Sequence, residues 1–87
     1  MGEKLEGQTI LVTGAGRGLG ASFCHIVAAA GAQVLALGRQ EPALTQLINS
    51  LPGDGHDVAI ADVTDPVAVS AGLAGKSYNG VINNAGI

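Results

Sequence analysis

Aromatic side chains are nearly absent from this sequence. Phe23 and Tyr78 are the only two among 87 residues, so recognition of nucleic acid by stacking on bases has almost nothing to work with. Positive charge is sparse as well. Lys4, Arg17, Arg39 and Lys76 are scattered through a chain of net charge -3, too few to track a phosphate backbone but enough for one small anionic ligand. With a single cysteine, Cys24, no internal disulfide can form, and the polar start from Met1 to Gln8 is unlike a signal peptide, which together predict a reduced, cytoplasmic setting. Gly, Arg or Asp interrupts every apolar run well short of the ~18 residues that a membrane helix needs, so a soluble protein without a membrane partner is expected. Cysteine and histidine clusters at metal-ligand spacing are missing too. Cys24 and His25 lie together without further ligands and His56 sits alone in a polar loop, so no metal site is expected.

What is present is apolar content and glycine. Hydrophobic residues make up 47% of the chain, which excludes a disordered polymer, and 87 residues suffice for one domain at most. Thr9 to Thr13 is a short β-rich run that stops abruptly at glycines and reads as a buried strand entering a tight turn. Apolar positions Phe23, Ile26, Val27 and Ala30 then recur at helical spacing, with Gly31 where a left-handed cap belongs, predicting a helix over about 18–30. Gln33 to Leu37 is a second strand. Glu41-Pro42 starts a second helix carrying Leu44, Leu47, Ile48 and Leu51 on one face. After a polar loop over 52–57, Val58 to Ala61 forms a third strand, and Asp65-Pro66 is an N-cap followed by proline at the first helical position. A short alanine-rich helix ends near Gly72 to Gly75, and Gly80 to Asn83 makes a fourth strand. Strands alternating with helices through short loops imply a parallel, doubly wound α/β sheet of the Rossmann type, with strand order 3-2-1-4 over a single unit from 1 to 87.

Between the first strand and the first helix lies Thr13-Gly14-Ala15-Gly16-Arg17-Gly18-Leu19-Gly20. In this position backbone N–H groups and the helix dipole can receive a pyrophosphate, while the glycines permit the turn, the approach of the ligand and close packing of helix on sheet. The plainer alternative is a set of glycines that only serve the turn. Ser70 to Ser77 imitates a phosphate-binding loop through Gly75-Lys76-Ser77, but it begins with serine and no helix follows.

The spacing of Thr13, Gly14, Gly18 and Gly20 resembles the T-G-x-x-x-G-x-G loop of short-chain dehydrogenases/reductases. Asp62-Val63, after the third strand, is similar to that family's adenine contact, and Asn83-Asn84-Ala85-Gly86 is similar to its N-N-A-G segment. Met singly, Asp62 would read as a cap-like turn residue and Asn83 to Gly86 as a polar turn. The resemblance runs from Leu5 to Ile87 and implies a dinucleotide site made of Gly14, Gly16, Arg17, Gly18, Leu19 and Gly20, with Asp62, Val63, Asn84, Ala85 and Gly86. Where NAD-binding members place an acid about twenty residues after the glycine loop, this chain has Gly38, followed by Arg39. Arg17 and Arg39, neither flanked by other charges that need pairing, could converge on a 2′-phosphate, so NADP(H) is favoured over NAD(H), the alternative being that both are ordinary solvated side chains.

The resemblance also implies what these residues do not supply. Family members of roughly 250 residues carry a serine, a tyrosine and a lysine beyond the N-N-A-G segment. Tyr78 is not that tyrosine, since Ile82 rather than lysine stands four positions on. The expectation is therefore the cofactor-binding portion of an oxidoreductase, inactive alone and without catalytic residues; the alternative is a free-standing, non-catalytic binding or docking module. Asn79, where the family usually has aspartate, is expected to weaken local packing. A half-built sheet should leave an open edge on strand four and favour self-association or a complementing chain.

Overall fold

The computed structural model describes residues 4–16 and 18–84. Its elements are β1 (Thr9–Thr13), α1 (Gly18–Ala29), β2 (Gln33–Gly38), α2 (Glu41–Ser50), β3 (Asp57–Ile60), α3 (Pro66–Leu73) and β4 (Gly80–Asn83). Every strand and helix read from the sequence is present. The differences lie at the ends: β3 runs one residue earlier than Val58 to Ala61, and β2 extends through Gly38. Both shifts follow from β2 and β3 pairing in parallel, with Leu35 opposite Asp57 and Gly38 opposite Ile60, because a partner strand rather than local composition sets where a ladder begins and ends.

All pairings are parallel and the order is β3-β2-β1-β4, as the alternation of elements predicts. The alternation of side chains along each strand divides the core into two. Val12, Val34 and Ala36 point to one face, where α1 brings Cys24, Val27 and Ala28 and α2 brings Leu44 and Leu47. Leu11, Leu35, Leu37 and Ala59 point to the other, where α3 offers only the partly buried Val69 and Leu73. Burial pushes the Cys24 thiol up to about 11, so it stays protonated and unreactive at neutral pH.

Local chemistry places the helix starts. Asp65 accepts a hydrogen bond from the Ala68 N–H at 3.2 Å, and Pro66 occupies the first turn, where its missing N–H costs nothing. Glu41 and a proline in the first turn begin α2, whose N-cap, Gln40, makes no side-chain bond. Asn79 departs from expectation: rather than loosening the packing, its Oδ1 accepts from the Thr9 N–H at 2.8 Å while its own N–H donates to the Thr9 carbonyl at 2.7 Å. An amide oxygen serves there as a carboxylate would. His56 has a structural role. Its Nδ1 accepts from the Val34 N–H at 3.0 Å, which leaves Nε2–H to donate to the Pro52 carbonyl at 2.8 Å.

β4 lies at the end of the sheet with Val81 54% exposed, and Ile26 on α1 is 63% exposed. Among the described residues no helix is long and apolar enough to cross a membrane.

Candidate functional site

Parallel strands deliver their C-terminal ends to one side, and here all four exits open onto a cleft of about 600 Å³. Gly14, Gly16, Gly18 and Leu19 line it from the β1 exit, Gly38, Arg39 and Gln40 from the β2 exit, Ala61, Asp62, Val63 and Thr64 from the β3 exit, and Asn84 from the β4 exit. This volume falls within the ~300–1,000 Å³ typical of small-molecule sites. β1 and β4 are neighbours in the sheet, while the chain between them first runs outward through β2 and β3, so the cleft lies where the direction of winding reverses.

The turn after β1 is fixed from three directions. Gly14 has φ of 63°, a backbone conformation that side-chain-bearing residues rarely adopt. The next residue, Ala15, donates its N–H to the Leu37 carbonyl at 3.1 Å, which ties the turn to β2. Asn84 ties it to β4: its Nδ2 donates to the Gly14 carbonyl at 3.3 Å and its N–H to the Thr13 hydroxyl at 3.0 Å, while that hydroxyl donates to Asn83 Oδ1 at 3.1 Å. Gly20 closes the arrangement. A Cβ there would overlap the Gly14 carbonyl oxygen and lie 2.9 Å from Asn84 Nδ2, so only glycine lets α1 pack this closely on the turn and the β4 exit. The start of α1 is thereby aimed into the cleft with its unpaired N–H groups and positive dipole end.

Across the cleft, Asp62 follows β3. Its Oδ1 accepts from both the Thr64 N–H at 2.9 Å and the Thr64 hydroxyl at 2.7 Å, and its Oδ2 lies 3.5 Å from a guanidinium nitrogen of Arg39. The two bonds from Thr64, and then the Arg39 charge, hold the Asp62 carboxyl below the usual carboxylate range. The β2 and β3 exits are joined by the Ala61 N–H, which donates to the Gly38 carbonyl at 2.8 Å.

Of the residues singled out in the sequence, the structure brings Gly14, Gly16, Gly18, Leu19, Arg39, Asp62, Val63 and Asn84 together on this cleft, with Gly20 packed behind Gly14. Arg17, Ala85 and Gly86 lie outside the described residues. One expectation is overturned: Arg39 does have a charge to pair with, Asp62, brought to it by the pairing of β2 with β3. Gln40, Ala61 and Thr64 were not anticipated as lining residues. For Thr64 a signal existed, since a Thr two positions after an Asp is the spacing at which the carboxylate captures a local N–H. Among the described residues no group of three or more His, Cys, Asp or Glu side chains could hold a metal ion.

Residues 8–87 match the family model described as short chain dehydrogenase. The chain belongs to the short-chain dehydrogenase family. It is 35% identical over 85 residues to L-xylulose reductase from Bos taurus, covering 97% of this chain and 34% of that protein. It is 34% identical over 88 residues to galactitol 2-dehydrogenase (L-tagatose-forming) from Cereibacter sphaeroides, covering 97% and 35%. Among solved structures, L-sorbose reductase from Gluconobacter frateurii, complexed with NADPH and L-sorbose, superposes with a TM-score of 0.83 at 26% identity, covering 100% of this chain and 36% of that one. The chain thus spans about a third of the length of these relatives. Short-chain dehydrogenases are oxidoreductases that use NAD(H) or NADP(H). The residues present fit such a group: Gly16 and Gly38 put no side chain into the cleft, a helix start faces it, and a cation stands on its rim.

Proposed function

We propose that this chain is the NADP(H)-binding portion of an oxidoreductase that moves hydride between the cofactor and a carbonyl or alcohol. The observation that carries the reading is the β2 exit, where Gly38 offers no carboxylate to a ribose diol and Arg39 stands on the cleft beside it. A guanidinium presents its donors in a planar fork suited to a phosphate. Gly14, Gly16, Gly18 and the start of α1 would hold the pyrophosphate, Arg39 with Arg17 the 2′-phosphate, Asp62 and Val63 the adenine edge, and Asn84, Ala85 and Gly86 the far end. When bound, the nicotinamide supplies or accepts the hydride. This chain's residues bind and orient. The 87 residues contain no Tyr-x-x-x-Lys pair to move the proton, so binding without turnover is expected of the chain alone.

Calorimetric titration of the chain with NADPH and NADH tests this reading, with tighter binding of NADPH expected. Tighter NADH binding overturns the role given to Arg39.

The parent reading frame tests the enzyme half of this reading: a continuation carrying Ser and Tyr-x-x-x-Lys supports it, and a continuation without them overturns it. The β4 edge, with Val81 exposed on it, supports association with a second copy or a complementing chain. Sedimentation checks this, and a dilute monomer with a sharp thermal transition would argue against it.

A further inference from the structure

Arg39 and Asp62 meet on the cleft at 3.5 Å with their side chains 66% and 41% exposed. That separation exceeds the ~2.7–3.2 Å of a closed hydrogen bond, so the guanidinium is attracted to the carboxylate while keeping donors for another anion. The carboxylate is less free. Its other oxygen accepts two bonds from Thr64, at 2.9 and 2.7 Å, which prevent it from swinging away when an anion arrives. Any anion that settles on Arg39 therefore also settles close to a fixed negative charge.

We propose that Asp62, anchored by Thr64, sets the cofactor selectivity of this cleft: its charge beside Arg39 limits how strongly a 2′-phosphorylated adenosine is preferred over an unphosphorylated one. The inference rests on the NADP(H) reading above and goes beyond it. A 2′-phosphate carries between one and two negative charges at neutral pH and feels this repulsion, whereas a 2′-hydroxyl does not. Because both partners are exposed, the effect is a moderate one and weakens with salt. Thr64 acts as a positioning residue, since it touches the carboxylate rather than the ligand.

The test compares adenosine 2′,5′-bisphosphate with 5′-AMP, two probes that differ only in the 2′-phosphate, by NMR titration of the 87-residue chain at low salt. The quantity read is the ratio of their affinities, in which any loss of adenine contact cancels. The wild-type ratio should exceed one. Asp62→Asn keeps an oxygen for Thr64 but removes the charge, and should raise the ratio by roughly three- to five-fold. Arg39→Gln should bring it to one or below, and Asp62→Asn in that background should raise it again. Thr64→Val should raise the ratio by less than Asp62→Asn does, and Thr64→Ser, which restores the hydroxyl, should return it to the wild-type value. A wild-type ratio above one that stays the same or falls in Asp62→Asn overturns the proposal while leaving the cofactor reading intact. A wild-type ratio of one overturns the cofactor reading, and this inference with it.

Discussion

The two ends of the parallel sheet treat their polar groups in opposite ways. At the N-terminal end each is tied to the protein: His56 bridges Val34 and Pro52, Asn79 pairs twice with Thr9, and Lys76 Nζ lies 2.7 Å from Asp57 Oδ2. At the C-terminal end the ties shape the loops and join neighbouring strand exits, and the remaining groups, the start of α1, Arg39 and the outer oxygen of Asp62, face an open cleft. Both ends consist of the same strands, so the difference lies in what their loops do. One end fastens neighbouring segments, and the other keeps polar groups available for a ligand at the cost of leaving them solvated.

The sharpest way to break that contrast is at Gly20. Gly20→Ala drives a methyl group into the Gly14 carbonyl oxygen, and a loss of about 2–3 kcal/mol in urea unfolding is expected, together with loss of nucleotide binding because the turn must shift. Next comes the fastening end. His56→Ala leaves the Val34 N–H without its acceptor and should cost about 1–2 kcal/mol of stability, yet leave the ratio of NADPH to NADH affinity unchanged. At the open end the outcome should invert. Arg39→Gln is expected to leave the thermal midpoint essentially unmoved while weakening NADPH binding by about ten-fold and NADH binding much less, as calorimetry would show.

The smallest effect concerns acid. Asp57 is held below its ordinary value of 3.8, first by the hydrogen bond from Lys76 and then by the Val58 N–H. A depressed folded-state value means that this stabilisation is fully present above pH 3.8 and is lost as pH falls below it. Lys76→Met should therefore flatten the acid limb of the stability curve in that range, and lower stability at neutral pH by about 0.5 kcal/mol or less, since the Asp57 carboxylate is exposed.

Much of the fold was legible because its signals are local. The abrupt halt of Thr9 to Thr13 at glycines, the helical spacing through Val27, and the Asp65-Pro66 start each depend on a few adjacent residues, and the strand order followed from the alternation of elements. The glycine turn of the candidate site was legible from its place between a strand and a helix, whereas Asp62-Val63 and Asn84 were picked out only by the resemblance to a family, since each alone reads as an ordinary cap or turn. The partnerships were not. Arg39 and Asp62 lie 23 positions apart, and nothing near either of them signals the other; Asn79 and Thr9 are 70 apart, and a lone Asn before a strand gives no hint of a two-point pair. The β3 boundary was missed because Asp57 is a poor strand former taken into the ladder by Leu35.

By itself, then, the sequence determined a parallel α/β sheet with a glycine turn aimed at a helix start, because backbone conformation and hydrophobic periodicity are written in neighbouring residues. Only the tertiary structure decided that Gly20 must be glycine on account of Gly14 and Asn84, and that the cation on the cleft faces a carboxylate held by Thr64. Those facts depend on which strand exits become neighbours, and parallel pairing brings together residues whose separation along the chain carries no local trace.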